Sequence, residues 1–135
     1  IVTGLVGSEM CIRDSCYGRH CSETTHAVVE RLGLTDEQWS MSYQSRLGPV
    51  KWLEPATTSK VEDLVNRGIK NIVVVAPAFL ADGLETLEEL DIELREDFLE
   101  MGGEELTVVK CLNDDDQWID GLESLVRKRL NPITA

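Results

Sequence analysis

Glu85, Glu89 and Glu93 recur at every fourth residue, which places three carboxylates along one face of a helix. Like charges at that spacing work against the helix, so the row is either a solvated face or a surface that takes up positive charge. Carboxylate oxygens suit hard and borderline divalent cations, and a row of them can relay a metal ion or protons. Asp82, three residues ahead of Glu85, is placed to cap this helix in a capping box with Glu85. That use is compatible with a place in the same acidic row.

A second constellation lies between Gln44 and Pro55, where Gln44, Ser45, Arg46, Lys51 and Trp52 share a loop with two prolines. An indole at a strand end can cover a flat, apolar ligand, and Arg46 and Lys51 can pair with carboxylates. The bland alternative, Trp52 packed on its own domain and the charges solvated, is favoured by spacing alone. His20 and His26 lie near Cys16 and Cys21, but no second cluster completes a metal site. Cys111 ends an apolar strand and reads as a buried small residue. Asp114, Asp115 and Asp116 read as the acidic start of a last helix.

These residues need elements to hold them. Ser22 to Leu32 reads as a helix with Ser22 as its cap and Gly33 as its stop, and Trp39 to Gln44 alternates as a strand. A helix follows over Thr58–Arg67, with Val61, Leu64 and Val65 on one face and Gly68 as its stop. Asn71–Ala76 is a Val/Ile run of the kind buried on both faces of a parallel sheet, ended by Pro77. The acidic helix runs from about Asp82 to Met101 and stops at Gly102-Gly103. Leu106–Cys111 is a strand, and Asp115–Leu130 is a helix with an apolar stripe of Trp118, Ile119, Leu122, Leu125 and Val126. Strands separated by helices imply parallel pairing through right-handed crossovers. The expected fold is one doubly wound α/β domain, a mostly parallel sheet with flanking helices. Its site should lie outside the carboxyl ends of the strands, where Gln44–Pro55 and Pro77–Glu93 emerge.

The chain has 135 residues, enough for one domain with a core. A formal charge of −12 argues against nucleic acid and fits a protein that handles cations. No apolar run approaches the roughly 18 residues of a membrane span. The four cysteines include no CxxC pair, which points to a reducing cytoplasm. Leu5–Ser15 resembles the in-frame translation of a transposon adapter used in shotgun DNA sequencing. Residues 1–15 are therefore read as a non-native segment, and 16–135 as the domain, itself a fragment of a longer protein. The charge argument stands without those fifteen, which carry Arg13 against Glu9 and Asp14.

Taken together, QSRLGPVKWLEP (Gln44 to Pro55), VVVAPAFLADGLETLEELDIE (Val73 to Glu93) and the strand end Lys110-Cys111-Leu112-Asn113 resemble the C-terminal half of ferrochelatase. The resemblance runs from about Tyr17 to Leu130 and implies one domain of a two-domain parent. It implies an enzyme of the lyase class that inserts ferrous iron into protoporphyrin IX, with both as partners and the iron as substrate. Glu85 matches the family's active-site glutamate, assigned to proton handling or metal delivery opposite a catalytic histidine. Asp82, Glu89 and Glu93 match the acidic positions that continue away from it as a metal path or outer metal site. Trp52 falls on the tryptophan of the porphyrin cleft wall, and Gln44, Ser45 and Arg46 match the strand-end segment before it.

Departures also follow. The family's histidine lies in a Ser/His motif upstream of the matched region, and neither His20 nor His26 stands in its place. Gly83 stands where some members carry His or Cys, and Ala56 replaces the Tyr common after Pro55. The cysteine cluster that binds an iron–sulfur centre in some members is absent, so no cluster and no tightly bound cofactor are expected. The expected location, from the cysteines, is the cytoplasm, with peripheral membrane association of the parent left open. The fragment alone is expected to be inactive. A chelatase acting on sirohydrochlorin or a cobalt corrinoid precursor, and a non-catalytic acidic-face domain, are the alternatives.

Overall fold

The computed structural model describes residues 2–4, 16–44 and 53–130. Its elements are β1 (Val2–Gly4), α1 (Cys16–Leu32), β2 (Met41–Tyr43), α2 (Thr57–Asn66), β3 (Asn71–Val74), a π-helix (Glu85–Glu93), α3 (Leu94–Glu100), β4 (Glu105–Val108) and α4 (Asp116–Leu130). Helices and strands alternate as the sequence pattern requires, and each ladder among the described residues is parallel. The pairing is divided between two ladders, β1 with β2 and β3 with β4. β1 lies within the segment set apart in the sequence reading, and its backbone pairs Val2 with Met41 and Gly4 with Tyr43.

Three helices close in the same way. Gly33, Gly68 and Gly102 each have positive φ, at 66°, 83° and 98°. Each donates to the carbonyl three residues back, and the next residue donates to the carbonyl five back, which is the Schellman pair. Gly103 is constrained differently, because a Cβ there would lie 2.3 Å from the Phe98 ring.

The core joins Val61 of α2, Ile72 and Val74 of β3, Ala76, Leu90 of the π-helix, Leu94 and Phe98 of α3, and Leu106 of β4. Leu64 and Val65 pack against it, so the expected apolar face of α2 holds. Phe98 is fully buried, a contribution of about 1.5–3 kcal/mol over an exposed ring.

Four expectations are corrected. Ser22 does not cap α1: the helix begins at Cys16 and Ser22 lies inside it, its Oγ 3.3 Å from His26 Nδ1. Arg19 bridges Glu23 at 2.9 Å across the presumed boundary and supports the extra turns. β3 is not buried on both faces: Ile72 and Val74 are buried, whereas Asn71 and Val73 are exposed, because α2, the π-helix and α3 cover one side. The acidic stretch is not one α-helix from Asp82, since a π-helix starts at Glu85 and passes into α3 at Leu94. The stripe of α4 is present, but Ile119, Leu122, Leu125 and Val126 are exposed and α4 has no buried residue.

Candidate functional site

The acidic row is the core-facing row displaced by one residue. Thr86, Leu90, Leu94 and Phe98 are buried, and Glu85, Glu89, Glu93 and Asp97 each precede one of them. The row therefore follows the edge of the core instead of the outward face. Glu85 and Glu89 are half-buried, and Glu93 and Asp97 are exposed, so the carboxylates grade from solvent inward. In an α-helix a step of four residues slightly overshoots one turn. In the π-helix the bonds run i→i+5, as Leu94 N–H to Glu89 O does, and the same step falls short of a turn. π-Helical segments are frequent at functional sites.

β2 reaches this row through one side chain. Gln44 is buried, and its Nε2 donates to Glu89 Oε2 at 2.8 Å and to the Glu85 carbonyl at 2.9 Å. β2 is in turn fixed to the start of α2: Tyr43 N–H donates to Pro55 O at 2.9 Å, and the buried hydroxyls of Ser42 and Thr57 lie 3.1 Å apart. Between β2, α2 and the π-helix opens a cleft of about 490 Å³. Tyr43, Gln44 and Thr57 line one side, and Leu84, Glu88, Glu89, Glu93 and Asp97 the other. Its volume is that of a small-molecule site, and among the described residues its lining has four acids and no lysine or arginine.

Asp82 is spent differently. Its Oδ2 accepts from Asn113 Nδ2 at 2.7 Å, and its Oδ1 accepts from Cys111 N–H at 3.2 Å and from the Thr86 hydroxyl at 3.1 Å. These donors, Asn113 first, then Cys111 and Thr86, hold its carboxyl down to about 2. Burial, and then the adjacent Asp82, push the Cys111 thiol up to about 11, so it is not a nucleophile at neutral pH. The expected capping box does not form; instead Thr86 Oγ1 accepts Gly83 N–H at 2.9 Å and donates to Asp82. Leu84, at the head of the π-helix, makes no side-chain cap bond.

The structure thus joins Gln44, Glu85 and Glu89, carries Glu93 along the cleft, and sets Asp82 apart in a polar knot. Among the described residues no three His, Cys, Asp or Glu side chains converge on a metal-holding position. Ser45, Arg46 and Trp52 lie outside the described residues. His26 packs edge-on against Trp39 at 5.2 Å. Sequence reasoning missed Asp97, although it is the next four-residue step of the row. It also missed Asn113, whose only local signal was an Asn between a strand end and an acidic helix start.

Parallel ladders with flanking helices, and an acid-lined cleft at the carboxyl end of β2, define an α/β domain. The chain belongs to the ferrochelatase family, whose model matches residues 6–130 and so begins inside the segment set apart above. It is 47% identical over 114 residues to a ferrochelatase of Pseudomonas fluorescens, covering 84% of this chain and 34% of that protein. A Pseudomonas aeruginosa ferrochelatase is 45% identical over 118 residues, covering 87% and 35%. One from Ectopseudomonas mendocina is 46% identical over 114 residues, covering 84% and 34%. The chain spans about a third of the length of the curated relatives it matches. Among the described residues no helix is long and apolar enough to cross a membrane.

Proposed function

We propose that this chain supplies the carboxylate wall of a ferrochelatase, a lyase that inserts ferrous iron into protoporphyrin IX to give protohaem. The observation that carries the reading is the Glu85–Glu89–Glu93 row on a π-helix, graded in burial and held to β2 by Gln44. Insertion removes two pyrrole protons and exchanges the water on the iron for ring nitrogens. Glu85, half-buried at the head of the helix, accepts a proton or holds the entering ion at the ring face. Glu89 and Glu93 lead from solvent toward it and keep the approach negative. Trp52, with Ser45 and Arg46, belongs to the porphyrin wall in this reading. Gln44, buried and donating to the helix, belongs with them to the substrate-binding set. The reaction needs no tightly bound cofactor and no iron–sulfur cluster, and its setting is the cytoplasm. The 135-residue chain by itself is expected to show no useful turnover.

The test is Glu85→Gln in a full-length enzyme carrying this chain, assayed by ferrous or zinc insertion. Most turnover should be lost while porphyrin binding, followed by fluorescence quenching, stays largely intact. Unchanged turnover removes Glu85 from the mechanism.

A further inference from the structure

Ten residues separate the end of β3 at Val74 from the head of the π-helix at Glu85, and local backbone bonds alone do not explain how they hold Glu85 in place. The fastening comes from beyond β4. Asn113 adopts φ 47°, the left-handed region that Asn tolerates better than most residues. Its backbone N–H donates to Leu80 O at 2.8 Å. Its side chain then makes two opposite bonds to one residue: Oδ1 accepts Asp82 N–H at 2.9 Å, and Nδ2 donates to Asp82 Oδ2 at 2.7 Å. Nδ2 also reaches Cys111 O at 3.1 Å, which fixes the plane of the amide.

Only a side chain with an acceptor and a donor side by side closes this ring. Aspartate in its place would face Asp82 carboxylate to carboxylate, and alanine would leave the Asp82 N–H without its acceptor. From Asp82 the fastening continues inward. The buried Thr86 donates its hydroxyl to Asp82 and accepts Gly83 N–H, so the residues on both sides of Glu85 are held. The backbone bonds of Thr86 and Leu87 to the Gly83 carbonyl, at 3.2 and 2.9 Å, complete the turn. Both oxygens of Asp82 are occupied by three donors, so an ion binding there would have to break the ring.

We infer that Asn113 is a positioning residue: with Asp82 and Thr86 it clamps the loop onto the end of β4 and sets where the Glu85 carboxylate stands. In this arrangement Asp82 is a strut and not a carrier of the metal. The inference rests on Glu85 being the reacting carboxylate.

The test uses a full-length enzyme carrying this chain, with Asn113→Asp, Asn113→Ala, Asp82→Asn and the exchanged pair Asp82→Asn/Asn113→Asp. The exchange restores the two bonds between these residues, because an amide at 82 can donate to a carboxylate at 113 while that carboxylate still accepts the N–H of 82; the bond to Cys111 O is not restored. Asn113→Asp should lower kcat by about tenfold to a hundredfold, as displaced supporting groups do, with the KM values for porphyrin and metal little changed. The exchanged pair should recover a measurable part of that loss. Hydrogen exchange, followed by mass spectrometry on the peptide spanning 80–90, should quicken in Asn113→Asp and slow again in the exchanged pair. If Asn113→Asp does not fold, Asn113→Ala reads the same quantities without an added charge. An unchanged kcat in the single variants, or an exchanged pair no better than Asn113→Asp, overturns the inference. A raised KM for the metal in the exchanged pair would make Asp82 an ion carrier and overturn it as well. Glu85→Gln in the same enzyme separates the two failures. If it retains turnover, the reading of Glu85 fails, and the exchange data still report whether the clamp exists.

Discussion

Gln44 Nε2 stands 2.8 Å from Glu89 Oε2, joining residues 45 positions apart. The same nitrogen donates to the Glu85 carbonyl at 2.9 Å, so one buried amide fixes both a side chain of the acidic row and the backbone beneath another. Gln44→Leu keeps much of the volume and removes both bonds. The 135-residue chain should lose about 1–3 kcal/mol, the cost of leaving half-buried acceptors unpaired. Urea unfolding followed by circular dichroism measures it, and an unchanged midpoint would mean that water replaces the amide without cost.

Asp82 makes stability depend on acid. Its folded value of about 2 lies below the ordinary 3.8, so the folded state binds its proton less readily than the unfolded chain does. The contribution is present above the unfolded value and is lost as pH falls from about 4 through about 2. Urea midpoints taken across that window should fall more steeply for the wild type than for Asp82→Asn. Parallel curves would show that Asp82 is not held by its three donors.

Gly83 leaves room for Glu85. A Cβ at this position would lie 3.2 Å from Glu85 Oε2, closer than a comfortable contact, and the carboxylate is the part free to move. Gly83→Ala should leave the unfolding midpoint nearly unchanged while lowering kcat in a full-length enzyme carrying the chain. Equal activity in both would show that the carboxylate adjusts without consequence.

Gly103 and Phe98 are matched in shape. A Cβ on residue 103 would meet three ring atoms of Phe98 at 2.3, 2.4 and 2.5 Å, and the ring is fully buried. Gly103→Ala should destabilise the chain by about 1–3 kcal/mol or more through overpacking. The smaller ring-free side chain of Phe98→Leu should make the same Gly103→Ala change cheaper, which a double-mutant cycle reads directly.

What could be read from the chain was local. Val/Ile runs, helical spacing and glycine stops placed each strand and helix from Cys16 onward to within a few residues, except the start of α1. The acidic row was visible because it is periodic, and the resemblance picked out Glu85 within it. A four-residue spacing fits both α and π winding, so the π-helix was not legible. The exposure of Val73 and of the α4 stripe depends on what packs against them, which no periodicity records. Asp82 looked like a helix cap because its nearest neighbours in sequence form a capping pattern. Its actual partners, Cys111 and Asn113, lie 29 and 31 residues away.

The division of the strands into two ladders has a mechanical consequence. A cleft whose walls belong to one continuous sheet can widen only by breaking backbone bonds. Here β2 forms one wall with β1, and the helix wall rests on β3 and β4. Among the described residues, the polar bonds that span the cleft are the two from Gln44. The Gln44 amide is therefore a latch across the cleft, added to the packing of α2 against the core, and it can open without disturbing either ladder.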